Sequence, residues 1–340
     1  MALESGRRKA KRRADTSFGR EKTLKVERAH MKRKVTGISV LLGILLLVYL
    51  VFYFLEPTRF GSPMSIFILF QQSLTYSIAA GGCYFVIAMG LFDFSLGANL
   101  ILSALVGYKL SVVAGYPGLI FGCMITGMVI GMINGGFYLK FRVPSIIVTV
   151  GLMMIYECIG VFIAGDTTNK LGQNMKLFGQ APYNLIIALI SFAVCIFILY
   201  STKMGVYIRA IGKNELIAKN MGVSTEKYKF LGFVICGIFA GVTGMLTISY
   251  TSTIIPVQGM SSMARNFQPI MGCFVGLAFK KYVNPMVSII AAEFMISMIV
   301  SGVMTNGLDS TLQDCIIGLI LLVIVILMAK EQRKHAEVVK

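Results

Sequence analysis

Few residues in this chain have the types and spacing that chemistry needs, and most of those lie inside long apolar runs. Asp93 falls in Gly90-Leu91-Phe92-Asp93-Phe94-Ser95-Leu96-Gly97, where an acid, a hydroxyl and two glycines interrupt an apolar stretch. Asp93 and Ser95 can cap a helix that begins near Leu96. Non-helical backbone at membrane depth is tolerated only where protein or a watery cavity surrounds it. The segment therefore reads either as a broken helix beside a translocation path, with Asp93, Ser95, Gly97 and Asn99 along it, or as a tight turn between two spans. Glu157 and Glu293 also fall in apolar runs, where a charge is costly unless paired, watered or neutralised. A proton relay is one use for them. No cluster of acids and histidines accompanies them, which favours hydrogen-bonded structural acids.

Catalytic and metal chemistry have no footing. The chain contains no G-x-x-x-x-G-K-[S/T], since Gly212-Lys213 is followed by Asn214, and no H-E-x-x-H, G-x-S-x-G or paired-Asp motif. Its 7 cysteines are scattered without a CxxC pair and only 2 histidines are present, so neither a metal centre nor a disulfide framework is expected. The cysteines read as small buried apolar groups. No catalytic residue and no metal ligand is assigned.

A polar stretch between the apolar runs 184–202 and 229–251 carries the most information. Lys203, Arg209, Lys213, Lys219, Lys227 and Lys229 outnumber Glu215 and Glu226 there, and such an excess of bases marks a cytoplasmic loop. Asn214 is a good N-cap and Gly222 a good residue just past a helix end, so Glu215 to Met221 can form a short helix around Ala218. Leu216, Ile217 and Met221 give it an apolar edge. So short a helix is marginal alone in water, and a groove on a soluble partner would hold it.

The elements around these residues follow from composition. With 56% hydrophobic and only 14% charged residues, the chain is expected to be all-α and polytopic in a membrane. Runs near the required length lie at about 35–55, 66–91, 94–114, 117–139, 144–165, 184–202, 229–251, 266–280, 283–305 and 311–329, about ten spans with both termini cytoplasmic. The run at 266–280 is short, as a re-entrant or broken segment would be. Most of the 32 basic residues fall on one side of this topology. The net charge of +17 reflects that bias together with a basic arm over residues 1–34, read as a topogenic signal drawn to anionic lipid rather than a nucleic-acid site. The membrane domain runs over 35–329, contains the loop 203–228 and ends in a charged tail over 330–340. Loops 166–183 and 252–268 fall on the outer side, the second with a possible short surface helix. Gly127, Gly131 and Gly135, with Gly237/Gly241 and Gly272/Gly276, repeat every four residues and read as helix-packing seams.

At the level of motifs the chain resembles the ribose-type permeases of ATP-binding-cassette importers, within the branched-chain amino acid and sugar permease group. The family's G-G-I-D-L-S-V-G is similar to Gly90–Gly97. Its G-x-x-N-G, a basic residue and P-x-I-x-T-x-G resemble Gly131–Gly135 and Pro144–Gly151. Its cytoplasmic A-x-G-x-N-x-x-A-x-x-x-G-I resembles Ala210, Gly212, Asn214, Ala218, Gly222 and Val223. The likeness covers about residues 66–260. After Gly259 the family's acidic residue and Gly-Gly stretch are missing.

The resemblance implies a permease subunit that moves a small polar solute, a sugar above all, delivered by an extracytoplasmic solute-binding protein. It implies a coupling helix that docks on a separate ATPase, with Arg209, Gly212, Asn214, Glu215, Ile217, Ala218, Met221 and Gly222 as the coupling residues. ATP and Mg would bind that ATPase, and no cofactor would bind this chain. A second permease chain, identical or not, would complete the path in a prokaryotic inner membrane. An ion-coupled secondary transporter and a non-transport membrane scaffold are the competing readings.

Overall fold

A computed structural model describes residues 37–305 apart from 40, 166–168, 173–174 and 280–282, with scattered positions between 312 and 326. The expected arm 1–34, the tail 330–340 and most of the span 311–329 lie outside the described residues.

Every long element is a helix, as the apolar runs require where a backbone must satisfy its own hydrogen bonds. In order they are α1 (Gly37–Leu55), α2 (Pro57–Phe60), α3 (Pro63–Ile87), α4 (Leu96–Phe141), α5 (Ser145–Ala164), α6 (Tyr183–Ser201), α7 (Lys203–Lys213), α8 (Glu215–Asn220), α9 (Thr225–Thr251), α10 (Ala264–Ala278) and α11 (Pro285–Thr305). Among the described residues, 6 helices are long and apolar enough to cross a membrane: α1, α4, α5, α6, α9 and α11. The chain is a helical, multi-pass membrane protein.

Helix α4 contains both spans read at 94–114 and 117–139. It breaks at Gly115 (φ 63°, ψ −143°), ahead of Pro117, and its arms fold back on each other. A Cβ on Gly122 would lie 2.9 Å from the Gly107 Cα, so the arms touch backbone to backbone. The second arm then forms a glycine seam with α9. A Cβ on Gly127 would meet the Gly237 carbonyl at 2.3 Å, one on Gly131 the Phe233 carbonyl at 2.4 Å, and one on Gly241 the Cys123 carbonyl at 2.3 Å. In lipid, where apolar surface alone does not drive helices together, such close approach supplies the van der Waals contact that does.

Two stretches differ from the sequence expectation. Lys203–Lys213 is a helix rather than loop, because Ile208 and Ile211 find buried places against the bundle. The segment 252–268 is not a surface helix. Its start is pinned beside the α5–α6 connection, where Lys170 and Thr253 form an antiparallel bridge, Leu171 N–H donates to Ser252 O (2.8 Å) and Ile254 N–H to Asn169 O (3.1 Å). It then continues without regular structure to Gln258, turns through Gly259 (φ 68°) and Met260 (φ 67°), and makes a 3-10 turn at Ser261–Met263. Helix α10 follows with only 15 residues, about 22 Å at 1.5 Å per residue, too short to cross a hydrocarbon core of about 30 Å. Of the cysteines, Cys158 and Cys315 are exposed rather than buried.

Candidate functional site

The non-helical stretch between α3 and α4 is largely buried from Leu91 to Ser95, and the N–H groups of Phe92, Phe94 and Ser95 each find a side chain. Asp93, only 4% exposed, accepts at Oδ1 from the Ser95 N–H (2.9 Å) and the Ser95 hydroxyl (2.7 Å). Asn134, from the second arm of α4, donates its amide to Asp93 Oδ2 (3.2 Å) and to Ser95 Oγ (2.6 Å). The Tyr156 hydroxyl on α5 donates to Asn134 Oδ1 (2.9 Å) and closes the chain of bonds. Phe92 N–H donates to Ser145 Oγ (2.9 Å) and Phe94 N–H to Thr149 Oγ1 (3.0 Å), so the first two turns of α5 hold the loop. From α10, Asn266 accepts from Gly97 N–H and donates to Phe94 O.

The break is thus a polar knot tying α4, α5 and α10; α4 begins at Leu96, but Ser95 makes no side-chain cap bond to its first turn, and Asp93 accepts from Ser95 itself instead. Gly97 is required by proximity, since a Cβ there would overlap the Ser262 carbonyl. Asn99 is buried and accepts from Ser103 Oγ (2.9 Å). Sequence reasoning did not find the roles of Asn134, Ser145, Thr149, Tyr156 and Asn266. The available signal was a polar residue inside an apolar run, which in lipid calls for a partner.

At the same end of the bundle, α7 and α8 project as a unit. Asn214 Oδ1 accepts the Ile217 N–H (3.0 Å), the bond an N-cap makes. At the other end Val223 N–H reaches Ala218 O (3.1 Å) and Gly222 N–H reaches Lys219 O (3.0 Å), with Gly222 at φ 84°. That pair is the Schellman termination. With both ends closed, α8 buries Ala218 and leaves Leu216 (71%), Ile217 (56%) and Met221 (79%) exposed.

The base of this unit is fixed to the bundle at three places. Glu215 Oε1 accepts from the Lys229 ammonium at 2.6 Å, and the same ammonium donates to the Tyr138 hydroxyl (3.3 Å). Tyr207 packs on Tyr228 with ring centroids 4.7 Å apart. Gly212 lies so close to Ala88 that a Cβ would fall 1.8 Å from its carbonyl oxygen. Arg209 lies over the Tyr200 ring (5.4 Å). The structure therefore gathers Gly212, Asn214, Glu215, Ala218 and Gly222 into the frame of α7–α8, with Leu216, Ile217 and Met221 as its bare tip. Between the unit and the Gly90–Phe92 backbone opens a cleft of 620 Å³, edged by Arg142, Lys219 and Lys229 and by Glu215 and Glu226.

Glu157 and Glu293 do not join either assembly. Glu293 is buried against Gly272, where a Cβ would collide with its carboxylate. No group of three or more metal-binding side chains exists among the described residues.

Residues 65–325 match the family described as branched-chain amino acid transport system / permease component. The match runs well past Gly259, where the motif resemblance stops. Among curated proteins the chain is 25% identical over 274 residues to the ribose import permease protein of Escherichia coli (strain K12), covering 72% of this chain and 84% of that one. It is 26% identical over 279 residues to the autoinducer 2 import system permease protein of Photorhabdus luminescens (79% and 82% covered), and 22% identical over 306 residues to the fructose import permease protein of Rhizobium meliloti (84% of each). No solved structure matches. The chain belongs to this family of transport-system permease components, which are not themselves enzymes.

Proposed function

Taking membership of the permease family as premise, we propose that this chain is the membrane subunit of an ATP-driven importer that moves a small neutral sugar through a prokaryotic inner membrane. The sugar class is drawn from the relatives that carry ribose and fructose in their names. An extracytoplasmic binding protein would deliver the solute, a second permease chain would complete the path, and a separate cytoplasmic ATPase would bind ATP and Mg.

One observation carries this reading: α8 is a six-residue helix closed at both ends yet bare along Leu216, Ile217 and Met221. A capped helix with an apolar edge in water is a shape made for a groove. Motion imposed on α8 would pass through the Glu215–Lys229 ion pair into α9, and through Gly212 against Ala88 to the polar break at Gly90–Gly97. Nucleotide state in the ATPase would then shift the population of inward- and outward-open forms.

Replacing Ile217 and Met221 together by Asp places charges in an apolar groove. The expected outcome is loss of ATPase from the purified complex with the membrane fold retained, read by co-purification and by elution of the permease. Unchanged co-purification and unchanged transport would remove the assignment.

A further inference from the structure

Glu157 is an acid in the middle of α5, and its carboxylate is used entirely on backbone far away in sequence. Oε2 accepts the Met260 N–H (2.9 Å) and Oε1 the Ser262 N–H (2.8 Å). Met260 has a left-handed φ of 67°, an uncommon state for a side chain of its size, and the carboxylate clamps the turn that contains it. Along α5, Glu157 lies about 18 Å from Ser145 and about 10 Å from Ala164, at 1.5 Å per residue. The clamped turn is therefore deep in the bundle, whereas Ile254 is tied at the Asn169 end. Residues 254–262 descend between the two as a re-entrant segment.

That segment is not satisfied as lipid demands. The N–H groups of Ile255, Val257 and Gln258 donate to nothing among the described residues, and Ile255, Gln258, Gly259 and Ser261 are exposed. Bare non-helical backbone at membrane depth is tolerated only along water or inside protein. Residues 254–262 also carry no charge, and their polar groups are an amide, hydroxyls and peptide N–H and C=O groups. A lining of that kind hydrogen-bonds to a neutral polyhydroxyl compound and offers no counter-charge to an amino acid's ammonium or carboxylate.

We propose that residues 254–262 line the aqueous solute path, with Gln258 and Ser261 facing a neutral, hydroxyl-rich solute, and that Glu157 is the positioning residue that holds this lining in place. The inference rests on the solute-translocating role proposed above and assigns it a surface. Glu157 acts through the turn, since both its oxygens are engaged by the turn's own backbone N–H groups.

The test uses the whole complex, with ATPase and binding protein, in vesicles, and a membrane-impermeant methanethiosulfonate bearing a trimethylammonium group as probe. Gln258→Cys and Ser261→Cys are expected to react above the background set by the exposed native Cys158 and Cys315, and the reaction to block transport. Met154→Cys, exposed on the same α5 as Glu157 but away from residues 254–262, is the comparison position and should stay at background. Glu157→Ala is expected to lower transport about tenfold or more, the equivalent of one lost charge-assisted hydrogen bond, and to change the labelling rate of Gln258→Cys. Glu157→Gln keeps one acceptor and should fall between. Labelling at positions 258 and 261 no faster than at 154, in a complex that transports, would overturn the inference and indicate burial against a second chain. Wild-type transport by Glu157→Ala would overturn the positioning role. Labelling does not depend on turnover, so a complex that labels at 258 yet moves no sugar would sink the importer reading and leave the watery lining intact.

Discussion

The two non-helical stretches inside this bundle treat their backbone in opposite ways. Around Asp93 the N–H groups of Phe92, Phe94, Ser95 and Gly97 are met by Ser145, Thr149, Asp93 and Asn266, and the side chains complete one another through Asn134 and Tyr156. Along 254–262 the start is tied at Asn169 and the turn is held by Glu157, while the N–H groups of Ile255, Val257 and Gln258 between them stay bare. An acid anchors each. The difference teaches that an intramembrane acid does not by itself mark a path; what marks it is whether the backbone near the acid is closed or left open. A closed break fixes how helices meet. An open one must have water or solute beside it.

The comparison breaks most easily at Asp93. Asp93→Leu leaves the Ser95 N–H, the Ser95 hydroxyl and one of the two Asn134 amide hydrogens without their acceptor in a buried place, a loss of roughly 3 kcal/mol or more. We expect poor assembly, read as low yield and a lowered thermal midpoint in detergent. Asp93→Asn keeps an acceptor and should cost about 1 kcal/mol, with partial transport. If Asn abolished transport as fully as Leu while folding normally, the charge itself would be required, and the closed break would be functional after all.

A smaller effect is expected at Gly212, which connects the bare tip of α8 to the residue ahead of the closed break. Gly212→Ala forces a methyl into the Ala88 carbonyl, and overpacking of this sort costs about 1–3 kcal/mol. Transport should fall while the α8 tip still binds ATPase. Gly151, with nothing within 4 Å of an added Cβ, is the control: Ala there should be neutral or stabilise α5 by up to about 1 kcal/mol. Equal loss in both variants would mean that close approach at Gly212 does not matter.

The mildest change sharpens the contrast. Tyr156→Phe removes one donor from the closed break and leaves Asn134 Oδ1 unpaired, for about 1–2 kcal/mol. Thermal stability should drop with little change in transport per folded complex. Its neighbour Glu157 is expected to show the reverse balance, so the two adjacent residues on α5 separate the two kinds of break.

What the sequence made legible was chemistry that is local. The α8 caps at Asn214 and Gly222 are set by residues a few positions apart, and so is the break around Asp93 and Ser95. The glycine repeats were legible as seams because a four-residue period needs no knowledge of the partner helix. What escaped was set by distant pairs. Helix α7 reads as loop in the sequence because its stability comes from burying Ile208 and Ile211 and from Gly212 resting on Ala88, none of which periodicity over eleven residues reveals. The partners of Glu157 lie 103 and 105 residues away, and Asn266 reaches across 169 to Gly97. The re-entrant course of 254–262 followed from those bonds and not from the composition of the segment.

The backbone contacts between α4 and α9 have a mechanical consequence. Side chains can give way one rotamer at a time, but carbonyls resting on glycine Cα atoms have no slack to take up. The two helices must tilt together, as one stiff lever about 40 Å long from the 27 residues of α9. Lys229 grips one end through Glu215, and the other end runs through Ser252 directly into the bare segment. Under the importer reading proposed above, a push at the Lys229 end would arrive at the Ser252 end with little lost between, and the non-helical angles of Gly115 and of Gly259–Met260 lie outside the lever.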